Sequence, residues 1–320
     1  MKLPLDAKIY VTGHQELIGA ALLRKLEGLG YRNVVTRTGT ELDLRDQEAV
    51  NAFFEQELPD YVFLAATRLG SLLGDALSPA QSLYDNLLIA ANVIHASYLY
   101  EVEKLLNVGC NYACLELCPT PLQDEALLSG LLEETNRSYA VARIAAIELC
   151  DSYRAQYGCD FVSVLSANLY GPGDAFHLPS VQVPCGQVIP ALLRELLSAK
   201  EANRPAARIG GGAAARYEFL YVDDLADACL FLIEHFSEPG PINVGPGEDV
   251  TLQELSAVLK AVVGYGGELA FEAGRLGGAS NPSKIAKIQG AGWKAKTPLR
   301  DGVRSTLDWY LSQRAFATQP

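Results

Sequence analysis

Apolar and polar positions follow two periods along the first half of the chain. KIYVTG (8–13), NVVTR (33–37), YVFLAA (61–66), KLLNVG (104–109) and DFVSVLSA (160–167) are short apolar, β-branched runs and read as strands. Between them, ELIGAALLRKLEGLG (16–30), QEAVNAFFEQEL (47–58), a stretch from about Pro79 to Glu101 and another from about Tyr139 to Tyr157 repeat their apolar residues at helical spacing. A loop is expected before the last of these, to about Glu133. Strands alternating with helices require crossover connections, which predicts an α/β fold with a doubly wound parallel sheet covered on both faces. After Leu169 glycine and proline become frequent, in LYGPGDAF and GGGAAA, and the alternation breaks. This divides the chain into a sheet domain over 1–168 and a region over 169–320 that is mainly a smaller C-terminal lobe, with segments returning to the sheet. In that lobe PSKIAKIQGAGW (282–293) reads as a short helix.

The bulk properties narrow the class. In 320 residues, 49% hydrophobic and 20% charged, there is enough apolar material for a sizeable core in a soluble chain. Runs such as LYDNLLIAANVI and ACLFLI are too short or too interrupted to span a bilayer. MKLPLDAKIYVTG runs straight into a strand with no signal-peptide core, and seven scattered cysteines suit a reducing compartment, so a cytoplasmic location is expected. A net charge of −12 argues against nucleic acid and anionic membrane as partners. A small-molecule anion would have to find local arginines or helix N-termini instead.

VTGHQELIG (11–19) lies at the first strand-to-helix turn, the place for a phosphate loop. Gly13 fits the tight turn and Gly19 the close helix–strand packing, but the middle glycine position holds Glu16. A carboxylate there favours the helix N-terminus and is a poor neighbour for a pyrophosphate. The same pattern is also that of a turn and helix cap with no ligand. Arg37, just after the second strand, is placed to meet a 2′-phosphate or to lie in solvent.

The stretches VTGHQELIG, ELDLRD (41–46), LAATRLG (64–70), NLLIAANVIHAS (86–97), LEETNRSYAVARIAAIELCDSYRAQYG (132–158), ANLYGPGDAFH (167–177), VIPALLR (188–194), FLYVDDLADA (219–228) and INVGPGEDVTLQEL (242–255) cover nearly the whole chain in order. Together they resemble the GDP-L-fucose synthase family of extended short-chain dehydrogenases/reductases. The resemblance implies a Rossmann fold, NADPH-dependent epimerisation and reduction of a nucleotide-linked keto sugar, and a homodimer paired through the helix with the tyrosine. Carried over by position, the family's catalytic tyrosine falls on Tyr139 and its lysine on Arg143. Its carbonyl-polarising serine falls on Cys110, and its epimerising cysteine and histidine fall on Tyr112 and Gln187. The glycine-loop arginine that holds the 2′-phosphate becomes Gln15. The cofactor positions further include Asp43, Ala65 and Ala66. Of the substrate positions, Asn168 is kept and Arg194 is present. A diphosphate-binding arginine becomes Glu195, and another becomes Tyr217, beside Arg216.

A tyrosine near its ordinary pKa is a weak acid/base at neutral pH and needs a cation beside it. Arg143 lies one helical turn on and keeps the charge, but a planar guanidinium cannot copy a compact ammonium's bonds to two ribose hydroxyls. Cys110 donates weakly to a carbonyl, and is either a nucleophile activated by a cation or a small residue packed at a strand end. Tyr112 and Gln187 do not make an epimerising pair, since glutamine is no base. His177, after GPGDAF, is either a displaced substitute or a loop residue. Cys110, Cys114 and Cys118 are spaced too widely for a metal, and none is expected. Two readings follow. In one, the chain is an enzyme of the sugar-nucleotide epimerase/reductase type, repurposed, using NADP or NAD if a nicotinamide is bound at all. In the other it is a non-catalytic relative, a pseudoenzyme that dimerises with or regulates an active paralogue or binds a ligand. Scaffold motifs such as NLYGP and YVDD persist, which implies a retained role for the folded body.

Overall fold

The computed structural model describes residues 2–67, 78–110, 137–174, 188–272 and 284–317. Its central sheet has six parallel strands in the order β2-β1-β3-β4-β5-β10. They are β1 (Ile9–Val11), β2 (Val34–Val35), β3 (Tyr61–Leu64), β4 (Lys104–Cys110), β5 (Phe161–Ser166) and β10 (Ile242–Val244). All strands and helices expected in the first half are present, with the second strand trimmed to two residues. The helices among them are α1 (Leu17–Gly28), α2 (Gln47–Glu57), α3 (Pro79–Leu99) and α4 (Arg137–Tyr157). Later come β6 (Asn168–Tyr170), α5 (Val188–Glu201), β7 (Ala206–Gly210), β8 (Arg216–Tyr217), β9 (Phe219–Tyr221) and α6 (Val222–His235). After β10 follow β11 (Val250–Thr251), α7 (Leu252–Val263), β12 (Glu268–Glu272), α8 (Ala286–Gly290) and α9 (Leu299–Ala317).

The strands alternate their side chains between two buried faces, as a parallel sheet must. Ile9, Val11, Phe63, Leu106, Val108, Val162, Val164, Ile242 and Val244 pack toward α1 and α6. Tyr10, Val62, Leu64, Leu105 and Phe161 face α2, α3 and α4. Local chemistry sets the helix ends. Asp46 accepts from the amides of Glu48 and Ala49 at the start of α2. Thr251 and Glu254 form a reciprocal capping box on α7.

A second core joins Tyr170, α5, β7, Tyr217, Phe219, α7, Val303 and Leu307. The helix expected in this lobe is present as α8 but packs elsewhere, which corrects the sequence reading. Ile285, Ile288 and Trp293 join the core on the α1–α6 face of the sheet. Trp293 Nε1 donates to Asp227 of α6 at 3.0 Å, and the amides of Lys296 and Thr297 donate to the buried carboxylate of Asp224 at 3.1 and 2.8 Å. Burial alone would raise the Asp227 carboxyl. Lys25, Lys296 and Trp293 overcome that and hold it at about 2. Among the described residues no helix is long and apolar enough to cross a membrane.

Candidate functional site

The order in which strands are added reverses at β1, whose neighbours are β2 on one side and β3 on the other. The carboxyl ends of β1 and β3 therefore flank the crevice in which sheets of this topology place their ligands. Thr12 sets the width of that crevice. Its Oγ1 accepts from the amides of Ala65 and Ala66 at 2.9 and 2.8 Å and donates to the Phe63 carbonyl at 3.3 Å. Gly13 follows with φ +62°, and a Cβ there would meet the Ala66 backbone at 2.8 Å. A Cβ at Gly19 would lie 2.2 Å from the Gly13 carbonyl oxygen. Both glycines thus serve backbone approach, as their spacing suggested. Gly19→Ala is expected to cost about 1–3 kcal/mol and to push the turn open, because the clash is with backbone. A fall in the urea midpoint at unchanged m-value measures it.

Glu16 caps α1 without a side-chain cap bond. The residue as a whole is exposed, while its carboxyl end is turned toward the protein and accepts from Thr67. Burial pushes the carboxyl up to about 7, against a smaller downward pull from the Thr67 amide that donates to it. Gln15 is exposed, and His14 is half-buried with an Nδ1 that has no partner among the described residues. Arg37 does not face this crevice as a free cation. It donates to Glu57 Oε1 at 2.6 Å and lies over the Phe53 ring at 5.2 Å. The pull of a neighbouring carboxylate and an aromatic face outweighs solvent here. Asp43 is bridged by Arg45, which also reaches the buried Asp85 at 3.2 Å.

Tyr139 and Arg143 sit one turn apart on α4, both buried. The Arg143 guanidinium lies against Gly109 near the carboxyl end of β4, where a Cβ would meet Nη2 at 2.0 Å and Nε at 2.4 Å. Arg143 is 4% exposed, and its Nε and Nη2 have no hydrogen-bond partner among the described residues. Beneath it Asn107 Nδ2 donates to Ser163 Oγ at 3.2 Å, and burial pushes the Cys150 thiol up to about 12, with Ser163 and Arg143 pulling the other way. Cys110 ends β4 in register with Ser166. Tyr112, Gln187 and His177 lie outside the described residues, as do Cys114 and Cys118.

Of the substrate positions, Asn168 Nδ2 donates to the Glu218 carbonyl at 2.8 Å. Arg194 is half-buried, and its burial lowers its pKa against the pull of Tyr310. Arg216 is bound to Asp249, with Nε to Oδ1 at 2.9 Å. Tyr217 is buried in the second core and stacked on Phe219. An aromatic ring gains more from that core than from a polar cleft. Glu195 is gripped by Arg204 through both carboxylate oxygens, at 2.9 and 3.2 Å. Its negative charge is thereby answered inside the protein. Sequence reading passed over Thr12, Arg204 and the buried Glu218, whose Oε1 accepts from the Gly247 amide at 3.0 Å. Only the EF of YEF hinted at Glu218; the other two had no signal.

A doubly wound parallel sheet with a two-glycine turn at its switch point defines the dinucleotide-binding class of α/β folds. Residues 9–245 match the NAD dependent epimerase/dehydratase family, and the chain belongs to that family. It is 43% identical over 308 residues to a probable GDP-L-fucose synthase 1 of Oryza sativa subsp. japonica, covering 95% of this chain and 92% of that one. It is 39% identical over 319 residues to the GDP-L-fucose synthase of Escherichia coli strain K12, covering 96% and 97%. Among solved structures, a GDP-D-glycero-L-gluco-heptose synthase from Campylobacter jejuni, in the presence of NADPH, superposes with TM-score 0.88 at 33% identity, over 97% of this chain and 99% of that one. A GDP-mannoheptose C4 reductase from the same organism, with NADP bound, gives 0.85 at 34%, over the same shares.

Proposed function

We propose that the protein is an NADP(H)-linked enzyme of the epimerase/reductase type that reduces the keto group of a nucleotide-bound sugar without epimerising it. The observation that carries this reading is the pairing of Tyr139 and Arg143 on the buried face of α4, beside Gly109 at the carboxyl end of β4. Relatives named as GDP-sugar synthases and reductases, two of them solved with NADP or NADPH, support it.

The Gly13–Gly19 turn fits a dinucleotide in shape. Side chains are kept out at both glycines, so the amides at the start of α1 face the crevice and would hold a pyrophosphate. The nicotinamide, when bound, supplies the hydride. Tyr139 gives the matching proton to the carbonyl oxygen, and Arg143 holds a permanent positive charge one turn away. Glu16 accommodates the pyrophosphate when protonated and repels it when ionised. Arg37 must leave Glu57 to meet a 2′-phosphate. Tyr112 and Gln187 do not exchange protons on opposite sides of a sugar carbon, so reduction is the step that remains. The exposed Tyr84 and Leu99 of α3 and Val141 and Tyr157 of α4 suit pairing of two copies.

The test is NADPH oxidation with a panel of GDP- and UDP-linked 4-keto sugars in deuterated water. Cofactor oxidation without deuterium at the carbons flanking the former ketone is expected, and Tyr139→Phe should lower the rate about 10²–10⁴-fold. Absence of oxidation with every sugar, or no loss in Tyr139→Phe, overturns the reading.

A further inference from the structure

Arg37 leaves the sheet beside the glycine turn. Ile9 pairs with Val34 and Tyr10 with Val35, and the same offset sets Arg37 level with Thr12 at the end of β1. Its side chain is 33% exposed, and the chain that follows, from Thr38 to Glu41, is half-buried or open to solvent. A ligand group therefore has access and room there. The guanidinium is engaged without being sealed in. Nη2 donates to Glu57 Oε1 and Nη1 to the Thr36 carbonyl at 2.8 Å. An ion pair between partly exposed side chains is weak and opens readily. Glu57 also has a second cation. Lys8 Nζ lies 3.4 Å from its Oε2 and donates to its carbonyl oxygen at 2.6 Å. When Arg37 departs, the Glu57 carboxylate keeps a counter-charge. A further carboxyl, Glu41, is held below its ordinary value by the Thr38 amide and hydroxyl, with smaller pulls from Arg37 and His14.

We propose that Glu57 is the residue that sets how strongly the cleft prefers a cofactor with a 2′-phosphate over one without. This rests on the reading of the cleft as an NADP(H) site. Arg37 is then an exchangeable cation, shared between Glu57 and the cofactor. A phosphomonoester carries nearly two charges at neutral pH and takes a guanidinium through two parallel bonds, so it outcompetes a single carboxylate. Glu57 falls back on Lys8. A 2′-hydroxyl carries no charge, and with it Arg37 stays on Glu57. The part of the phosphate's gain that goes into separating Arg37 from Glu57 is lost from selectivity. The preference for NADPH over NADH is accordingly narrower than a free arginine would give.

Fluorescence titration of the full chain with NADPH and NADH is the experiment, with adenosine 2′,5′-bisphosphate and 5′-AMP as displacing probes. Glu57→Gln keeps the shape and drops the charge. It is expected to tighten NADPH and the bisphosphate by about 5–20-fold, while NADH and AMP change by less than about twofold. Lys8→Met should act the other way, weakening NADPH by about 3–10-fold with NADH unmoved, because Glu57 then has Arg37 alone. Equal changes for both cofactors in Glu57→Gln, or none for NADPH, overturn the proposal, as does tighter NADPH binding in Lys8→Met. A wild type that binds none of these probes overturns it together with the reading of the cleft. None of the readouts needs hydride transfer. The expected split in binding, without oxidation by any keto sugar, would refute the reductase reading and leave the role of Glu57 standing.

Discussion

Replacing Arg143 with methionine is expected to stabilise the ligand-free protein. Exchanging buried ionic groups for apolar ones of similar volume raises stability by about 1–4 kcal/mol in comparable cases. Here the charge is 4% exposed and two of its donors are unmatched, so the desolvation cost has little to offset it. For a chain of this size that corresponds to a rise in melting temperature of roughly 3–10 °C. The long unbranched side chain of methionine keeps the packing over Gly109 that a shorter residue would lose. Differential scanning calorimetry in an anion-poor buffer measures the change. A lower melting temperature for Arg143→Met would mean that the guanidinium is compensated in the unliganded chain.

Glu16→Gly is expected to tighten NADPH binding about 10–100-fold at pH 8 and to do much less at pH 6. Two like charges about 5 Å apart at a protein surface repel by roughly 3 kcal/mol, which solvent contact lowers. The carboxyl titrates at about 7 against an ordinary value of 4.5, so it is mostly neutral at pH 6 and mostly ionised at pH 8. Cofactor affinity in the wild type should fall as pH rises through that range, and the variant should lose this dependence. Fluorescence titration at the two pH values is sufficient, and equal slopes in both proteins would refute it. Stability runs the same way. The folded chain holds this proton more tightly than the unfolded chain, so the contribution is fully present below 4.5 and lost as pH rises through about 7. Because Glu16 makes no side-chain cap bond, replacing it with glycine, itself an acceptable cap, removes little else.

Features written in local periodicity were legible in the sequence. The runs at 8–13, 61–66, 104–109 and 160–167 became strands because alternating apolar side chains must be buried on both faces of a parallel sheet. The close backbone approach at Gly13 and Gly19 and the placing of Tyr139 and Arg143 one turn apart on a helix were legible too, since each is decided within one turn or one loop. What stayed hidden was partner choice. Arg37 lies twenty residues from Glu57, and Arg204 nine from Glu195, with no pattern connecting them. Tyr217 occupies a ligand position by alignment and a core position by packing, because Phe219 lies against it. The helix around Ile288 was placed in the wrong lobe for the same reason. Its period shows that it buries a face, not which face it meets.

The clasp between α6 and the tail has a consequence for how the chain is made. Asp224 waits for Thr297, seventy-three residues later, and Asp227 waits for Trp293. On a ribosome the sheet therefore emerges long before the residues that finish its α1–α6 face. Until Ile285, Ile288 and Trp293 arrive, the nascent chain shows an open apolar flank, the kind of surface chaperones bind. A stop codon after β10 would release a chain with every strand of the main sheet and a permanently unfinished wall, destined for aggregation or proteolysis.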